Sequence, residues 1–203
     1  RTALNTREEN MIQKITQLLE KLRQEKPLVH HITNYVTVND CANITLGIGA
    51  SPIMADSLSE AADIASVSGA LVLNMGTLNE RTVPSMLAAG KAAGAAGIPV
   101  VFDPVGAGAS GFRNDTAAKI LDAVKIRVLR GNISEIRYLA GLSAATKGVD
   151  AADSDMDAQD DAATVASAAA RRFGCVAAIT GAVDVISDGD KVLRIANGHP
   201  MLS

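Results

Sequence analysis

The chain has 203 residues, 48% of them hydrophobic and 20% charged, which is enough for one sizeable core and too apolar for disorder. A formal charge of −3 and an aromatic content of 2% argue against nucleic acid, which calls for clustered Lys and Arg or aromatic stacking platforms. The two cysteines, Cys41 and Cys175, have no metal-ligand spacing, no run reaches the roughly 20 apolar residues of a membrane span, and no signal-peptide core opens the chain. The expectation is a cytoplasmic protein with reduced thiols and no membrane partner.

Residues 1–10 read as a loose native tail or an appended segment. Across 8–25, Ile12, Ile15, Leu18, Leu19 and Leu22 fall on one stripe, which predicts an amphipathic helix. PLVHHIT (27–33) predicts a short strand, and Asn34 to Leu46 a helix with Val38, Ala42 and Thr45 inward. SPIMA (51–55) is strand-like. SLSEAADIASVS (57–68) carries Ser57 and Glu60 at capping-box spacing before a helix. ALVLNM (70–75) predicts a buried strand, 77–97 an Ala-rich helix, and IPVVFDP (98–104) another strand. DTAAKILDAVK (115–125) predicts a helix, IRVL (126–129) a strand and 133–140 a helix. Six aspartates in 150–161 are spaced too irregularly for an EF-hand and read as a solvated loop entering a helix that runs to Gly174. CVAAITG (175–181) predicts a strand, and VDVIS and KVLRIA around Asp188-Gly189 a hairpin.

Strands alternate with helices, and the strands are apolar throughout. That pattern predicts a single α/β domain with a mostly parallel sheet, helices on both faces and an antiparallel edge. Ligands of such sheets gather at the carboxyl ends of the strands. The residues there are Asn34, Met54, Gly76, Asp103, Arg130 to Glu135, and Thr180-Gly181.

Several of these positions allow two readings. Gly106, Gly108 and Gly111 form a GxGxxG. They follow an Asp-Pro-Val insertion rather than a strand-to-helix turn, and no acid ends a second strand about 20 residues on, so a dinucleotide fingerprint is rejected. A Gly-rich loop whose N–H groups face an anion fits better than a flexible surface loop. Asp103, just before it, is a candidate Mg²⁺ ligand. In NISE (132–135), Asn132 and Glu135 form a capping box, or Glu135 reaches Mg²⁺ or its waters; the two roles are compatible. Arg130 is either a fork for phosphate or a surface ion pair. Thr180 is either turn chemistry or a nucleotide contact. Met54 is either core or a polarizable contact for a flat ring. His30 and His31 point to opposite faces of a strand and cannot act together. No P-loop, protein-kinase signature or GxSxG occurs.

Taken in order, HHITNYVTVNDCANITLGIGASPIMA, LVLNMGTLNE, VVFDPVGAGASGFR and RGNISEI resemble the hydroxyethylthiazole kinase family from about residue 27 onward. The resemblance implies a ribokinase-like fold, phosphorylation of 4-methyl-5-(2-hydroxyethyl)thiazole by Mg-ATP in thiamine salvage, and a homotrimer with sites at subunit boundaries. It implies thiazole contacts at Asn34, Met54 and Gly76, ATP contacts at Arg130 and Thr180, and Mg²⁺ and phosphate management by Asp103 and Glu135. In the family a Gly-rich turn, carrying the cysteine at the base position, follows a segment like NGHPMLS. Ser203 precedes it here, so the resemblance implies that the C-terminal part of the fold is missing. Neither Cys41 nor Cys175 matches that cysteine, so no catalytic base is named. The alternatives are another ribokinase-like enzyme, such as a hydroxymethylpyrimidine kinase or an ADP-forming repair dehydratase, or a ligand-binding fragment without activity.

Overall fold

The computed structural model describes residues 2–142 and 155–198, and side chains within 10–142 and 161–198. In chain order the elements are α1 (Thr2–Glu25), β1 (Leu28–Ile32), α2 (Val38–Ile48), β2 (Ser51–Ile53), α3 (Ala61–Val67), β3 (Ala70–Asn74) and α4 (Thr82–Ala95). They continue as β4 (Val100–Asp103), α5 (Gly111–Ala123), β5 (Val128–Gly131), α6 (Ile133–Ala140), α7 (Asp155–Phe173), β6 (Val176–Ile179), β7 (Asp184–Ser187) and β8 (Val192–Ile195). The strands form one sheet in the order β2-β1-β3-β4-β5-β6-β7-β8. Pairing is parallel from β2 through β6 and antiparallel for β7 and β8. The expected α/β class, parallel sheet and closing hairpin are all present. Asp188 makes the hairpin turn by accepting the N–H groups of Asp190 and Lys191.

Register decides which side chains share a face. His30 pairs with Leu71, Leu71 with Val100, Phe102 with Leu129, and Leu129 with Ala177. These residues are all buried, and with Ile32, Leu73, Ile179 and Val185 they form one apolar face. The same core takes in Ala61 and Ala65 of α3, Met86, Ala89 and Ala93 of α4, and Ala117 and Ile120 of α5. Small side chains let these helices approach closely, which is how a core nearly free of aromatics fills its volume. A Cβ at Gly90 of α4 would lie 2.4 Å from Val124 Cγ2. Phe102 is the bulkiest fully buried side chain; truncation to Ala costs about 3–5 kcal/mol.

The next residues in register, His31, Val72, Asn74, Val101, Asp103 and Arg130, occupy the other face. Helix α2 covers part of it: Thr45 Oγ1 donates to Cys41 O at 2.7 Å and so accepts from His31 Nε2 at 3.3 Å. His30, on the main face, donates Nε2–H to Ala55 O at 2.7 Å. The two histidines are thus separated by the sheet, as alternation requires.

Boundaries depart from the sequence reading where side chains compete for backbone groups. Helix α2 begins at Val38, not Asn34, because Asn34 Oδ1 accepts both Thr37 N and Thr37 Oγ1 at 3.0 Å and folds a turn. The Ser57–Glu60 capping box does not form: α3 begins at Ala61, and its N-cap Glu60 makes no side-chain cap. Helix α4 starts at Thr82 rather than 77, since Asn79 Oδ1 takes Arg81 N and Thr82 N at 3.1 Å. Helix α5 starts earlier than 115, capped by Ser110, whose side chain accepts Arg113 N. Strand β5 runs two residues later than IRVL, so Arg130 lies within it and Gly131 ends it. The segment read as a tail is helical from Thr2. Part of the aspartate-rich stretch lies outside the described residues; α7 begins inside it at Asp155. No helix among the described residues is long and apolar enough to cross a membrane.

Candidate active site

Sheet order converts positions scattered through the sequence into a row. Reading along the carboxyl edge, Met54 follows β2, Asn34 lies just past β1, Gly76 just past β3, Asp103 ends β4, Arg130 is in β5, and Thr180 follows β6. Neighbouring strands are about 4.8 Å apart, so the row from Met54 to Thr180 spans roughly 24 Å.

A chain of hydrogen bonds runs through the middle of this row. Asn34 Nδ2 donates to Asn74 Oδ1 at 3.1 Å. Asn74 Nδ2 donates to Asp103 Oδ2 at 2.9 Å. Arg130 Nη1 donates to the same Asp103 oxygen at 2.8 Å. Asn74 and Asp103 are direct register partners across β3 and β4. Both donors use Oδ2, so Asp103 Oδ1 carries no hydrogen bond among the described residues. Burial raises the Asp103 pKa; Arg130 opposes this and nearby Glu135 adds to it. Burial exceeds the help from Arg130 because that guanidinium is half exposed and screened by water.

Glu135 sits at the third position of α6, and the capping box with Asn132 is complete. Oε2 accepts Asn132 N at 2.9 Å, and Asn132 Oδ1 accepts Glu135 N at 2.9 Å. The other oxygen, Oε1, accepts Gly106 N at 2.8 Å. The buried carboxylate therefore holds both its own helix start and the Gly-rich loop. Gly131 makes room for it, since a Cβ there would lie 2.8 Å from Glu135 Oε2.

The Gly-rich loop differs from expectation. Gly106 and Gly108 adopt φ of 77° and 94°, which glycine tolerates best. The N–H groups of residues 106–109, though, are committed internally: Gly106 to Glu135, Ala107 to Pro104 O, Gly108 to Asn114 Oδ1 and Ala109 to Gly106 O. They do not form an open anion nest. The loop is a braced support beside Asp103.

At the other end, Asn34 and Gly76 are in close contact. A Cβ at Gly76 would sit 2.7 Å from Asn34 Cβ, and Gly76 N donates to Asn74 Oδ1 at 2.8 Å. Met54 is half buried. Thr180 N donates to Gly131 O at 2.9 Å, placing Thr180 beside the end of β5.

Three groups here escaped the sequence reading. Asn74 was absorbed into an apolar strand, although its position opposite Asp103 follows once β3 and β4 are aligned. Arg113 of α5 reaches back to donate to Met75 O, Val105 O and Gly76 O at 2.5, 2.6 and 2.8 Å, tying the end of β3 to the Gly-rich loop. Tyr35 donates its hydroxyl to Asp56 at 2.8 Å and accepts from Arg81 at 2.6 Å, fastening the loop after β1 to the segments that follow β2 and β3. No local sequence signal pairs residues that far apart.

Chemically the row has two ends. Amide, thioether and backbone groups suit a neutral heterocycle; carboxylates beside a guanidinium suit a hard cation and phosphate. Among the described residues no three His, Cys, Asp or Glu gather as a metal cage. A separate cavity of about 260 Å³, lined by residues 121–126 and Phe173, lies at the opposite, amino ends of β5 and β6.

Comparison with known proteins gives the family and the fold. The model of the hydroxyethylthiazole kinase family matches residues 19–203. The chain is 64% identical over 189 residues to the hydroxyethylthiazole kinase of Ruminiclostridium cellulolyticum, covering 93% of itself and 69% of that protein. A solved hydroxyethylthiazole kinase from Pyrococcus horikoshii superposes with a TM-score of 0.83 at 38% identity, over 94% of this chain and 69% of that one. An adenosine kinase from Schistosoma mansoni, at 12% identity and a TM-score of 0.51 over 84% of this chain and 59% of that one, shares the fold alone. The chain therefore has a ribokinase-like fold, is a kinase, and belongs to the hydroxyethylthiazole kinase family.

Proposed function

We propose that the protein transfers the γ-phosphate of ATP to the hydroxyl of 4-methyl-5-(2-hydroxyethyl)thiazole. The observation that carries this reading is the order of groups along the carboxyl edge. Met54, Asn34 and Gly76 form the alcohol end, and Asp103, Arg130 and Thr180 the phosphate end. The two reactants would lie end to end along the sheet, with the reacting oxygen and phosphorus near β3 and β4. Holding them in line is most of what such a transfer requires of a protein. Arg130, half exposed and already turned toward Asp103, would neutralise phosphate charge.

Mg²⁺ fits the residues present. Asp103 offers an oxygen without a hydrogen bond among the described residues, and the Glu135 carboxylate is close enough to raise the Asp103 pKa. Mg²⁺ takes one or two carboxylates and fills its other positions with water and phosphate oxygens. When bound, it would neutralise charge on the phosphates. Asp103 would hold it directly, and Glu135 directly or through water. We assign no general base: Cys41 lies in α2, and Cys175 is buried just before β6 with its thiol pKa pushed up by burial.

A homotrimer with sites at subunit boundaries belongs to the same reading. Its support is the apolar side chains Ile12, Ile15 and Leu18 on α1 and Ile44 and Leu46 on α2, each more than half exposed, since grouped exposed apolar side chains mark interaction surfaces. A cytoplasmic location accords with two free cysteines. The test is Mg²⁺-dependent ADP release, using the protein as its organism makes it, with hydroxyethylthiazole, hydroxymethylpyrimidine and ribose. Turnover with the thiazole alone is expected. Preference for either other alcohol would move the protein to another ribokinase-like activity, and binding without turnover would leave a ligand-binding protein.

A further inference from the structure

Asn74 joins the two ends of the row. Its Oδ1 accepts from Asn34 Nδ2 at 3.1 Å and from Gly76 N at 2.8 Å, and its Nδ2 donates to Asp103 Oδ2 at 2.9 Å. The amide orientation follows from these partners, because a flip would set its NH₂ against two other N–H donors. Asn34 is oriented in turn: its Oδ1 is taken by Thr37 N and Thr37 Oγ1, so only its NH₂ is left to face Asn74. The result is one directed chain, Thr37 to Asn34 to Asn74 to Asp103, with Arg130 closing on the same carboxylate oxygen from the far side. Each link polarises the next. Asn74 bonds three residues from both ends of the site, on β3 between them.

We propose that Asn74 is a positioning residue through which alcohol and nucleotide binding are thermodynamically coupled. The inference rests on the assignment of Asn34 and Gly76 to the alcohol and of Asp103 and Arg130 to the metal and phosphates. Before nucleotide binds, Asp103 is steadied by Asn74 and Arg130 together. When Arg130 turns to phosphate, Asn74 is the remaining side chain that fixes the carboxylate. An alcohol held against Asn34 and Gly76 immobilises the groups that grip Asn74, so Asp103 is ordered before the nucleotide arrives. The second ligand then meets less ordering cost, and by linkage the effect is reciprocal.

The experiment is calorimetric titration of the protein, as its organism makes it, with hydroxyethylthiazole. It is done alone and again with saturating Mg²⁺ and a non-hydrolysable ATP analogue. The unaltered protein should bind the alcohol at least about fivefold more tightly with the nucleotide present, the lower end of ordinary coupling. In Asn74→Ala the ratio should fall to within about twofold of unity, whatever happens to either affinity alone. A purely structural role would weaken binding or lower the melting midpoint and leave the ratio intact. Asn74→Ser, which keeps a small polar group, is read as well in case the alanine variant does not fold. A ratio unchanged in a folded variant, or a ratio of one in the unaltered protein, overturns the proposal. Failure of the unaltered protein to bind the thiazole at all overturns the assignment beneath it, and this result is distinct from bound alcohol without coupling.

Discussion

The Glu135 carboxylate accepts the N–H of Gly106 at 2.8 Å while its second oxygen caps the helix that carries it. One side chain thus fixes the start of α6 and the loop after β4, the two segments that flank Asp103. Replacement by Gln keeps the shape and removes one acceptor. A buried N–H left unpaired costs about 1–3 kcal/mol, so Glu135→Gln should lower unfolding stability by that amount. Turnover should fall much further, by about 100-fold or more, if the carboxylate also serves the metal. Denaturant midpoints and turnover on one preparation check this. Loss of rate in step with loss of folded protein would reduce Glu135 to a cap and brace.

Asp103 gives a pH dependence whose sign follows from its burial. Its folded pKa is raised above 3.8, first by desolvation, so the folded protein holds that proton more tightly than the unfolded chain does. A Mg²⁺ ion held by Asp103, as proposed, would compete with the proton. Metal-dependent nucleotide binding should therefore rise with pH through a midpoint above 3.8 and level off once the carboxylate is ionised. Arg130→Met removes an attractive charge and should move the midpoint higher. Titrations across pH give the midpoint; one unaltered by Arg130→Met would contradict the pairing.

Gly76→Ala tests the alcohol end. The new methyl would lie 2.7 Å from Asn34 Cβ and 2.9 Å from its Nδ2, so Asn34 must move. Overpacking of this kind costs about 1–3 kcal/mol, and the displaced amide should raise the thiazole dissociation constant by about tenfold or more while ATP binding changes little. Calorimetry with each ligand, beside a melting curve, separates the two effects.

The histidines set an acid limit on stability. Burial lowers both pKa values from 6.5, and His30 lowers that of His31 further. Each ring stays neutral in the fold at a pH where the unfolded chain takes up a proton. Their contribution is therefore fully present above about pH 6.5 and is lost as pH falls through the depressed folded values. Urea midpoints should be level at pH 7–8 and decline below about 6.5; a midpoint that does not fall toward pH 5 would contradict it.

The apolar stripe on α1 makes a prediction about assembly. Ile15 is 58% exposed and Ile12 62%. Ile15→Asp puts a charge in that surface and should convert a trimer to monomers in analytical ultracentrifugation, with helix content retained. A monomer before substitution would remove the proposed assembly.

Much of the fold was legible because periodicity is local. Apolar runs such as ALVLNM marked the strands, and the order of strands and helices implied a parallel sheet. The capping box in NISE was legible, since it needs only residues 132–135. Boundaries failed where a side chain captured backbone N–H groups, as Asn34 and Asn79 do ahead of α2 and α4. Strand β5 shifted by two residues and took in Arg130, because IRVL gave no signal for where pairing begins. Asn74 and Arg113 were missed for another reason: the partners that tie them into the site, Asn34 and Asp103 for one and Met75 and Gly76 for the other, lie 29 to 40 residues away in sequence, and only the strand order brings them together. Committed N–H groups in the Gly-rich loop could not be foreseen, because glycine spacing is the same whether the loop is open or braced.

The central claim is that the row has polarity, alcohol at β1 to β3 and nucleotide at β4 to β6. It is tested most directly by steady-state kinetics of Asn34→Ala and Arg130→Met with both reactants varied. The expected result is crossed: Asn34→Ala raises KM for hydroxyethylthiazole about tenfold or more with KM for ATP little changed, and Arg130→Met does the reverse while lowering kcat. Equal effects of both substitutions on both KM values, or the opposite pairing, would contradict it.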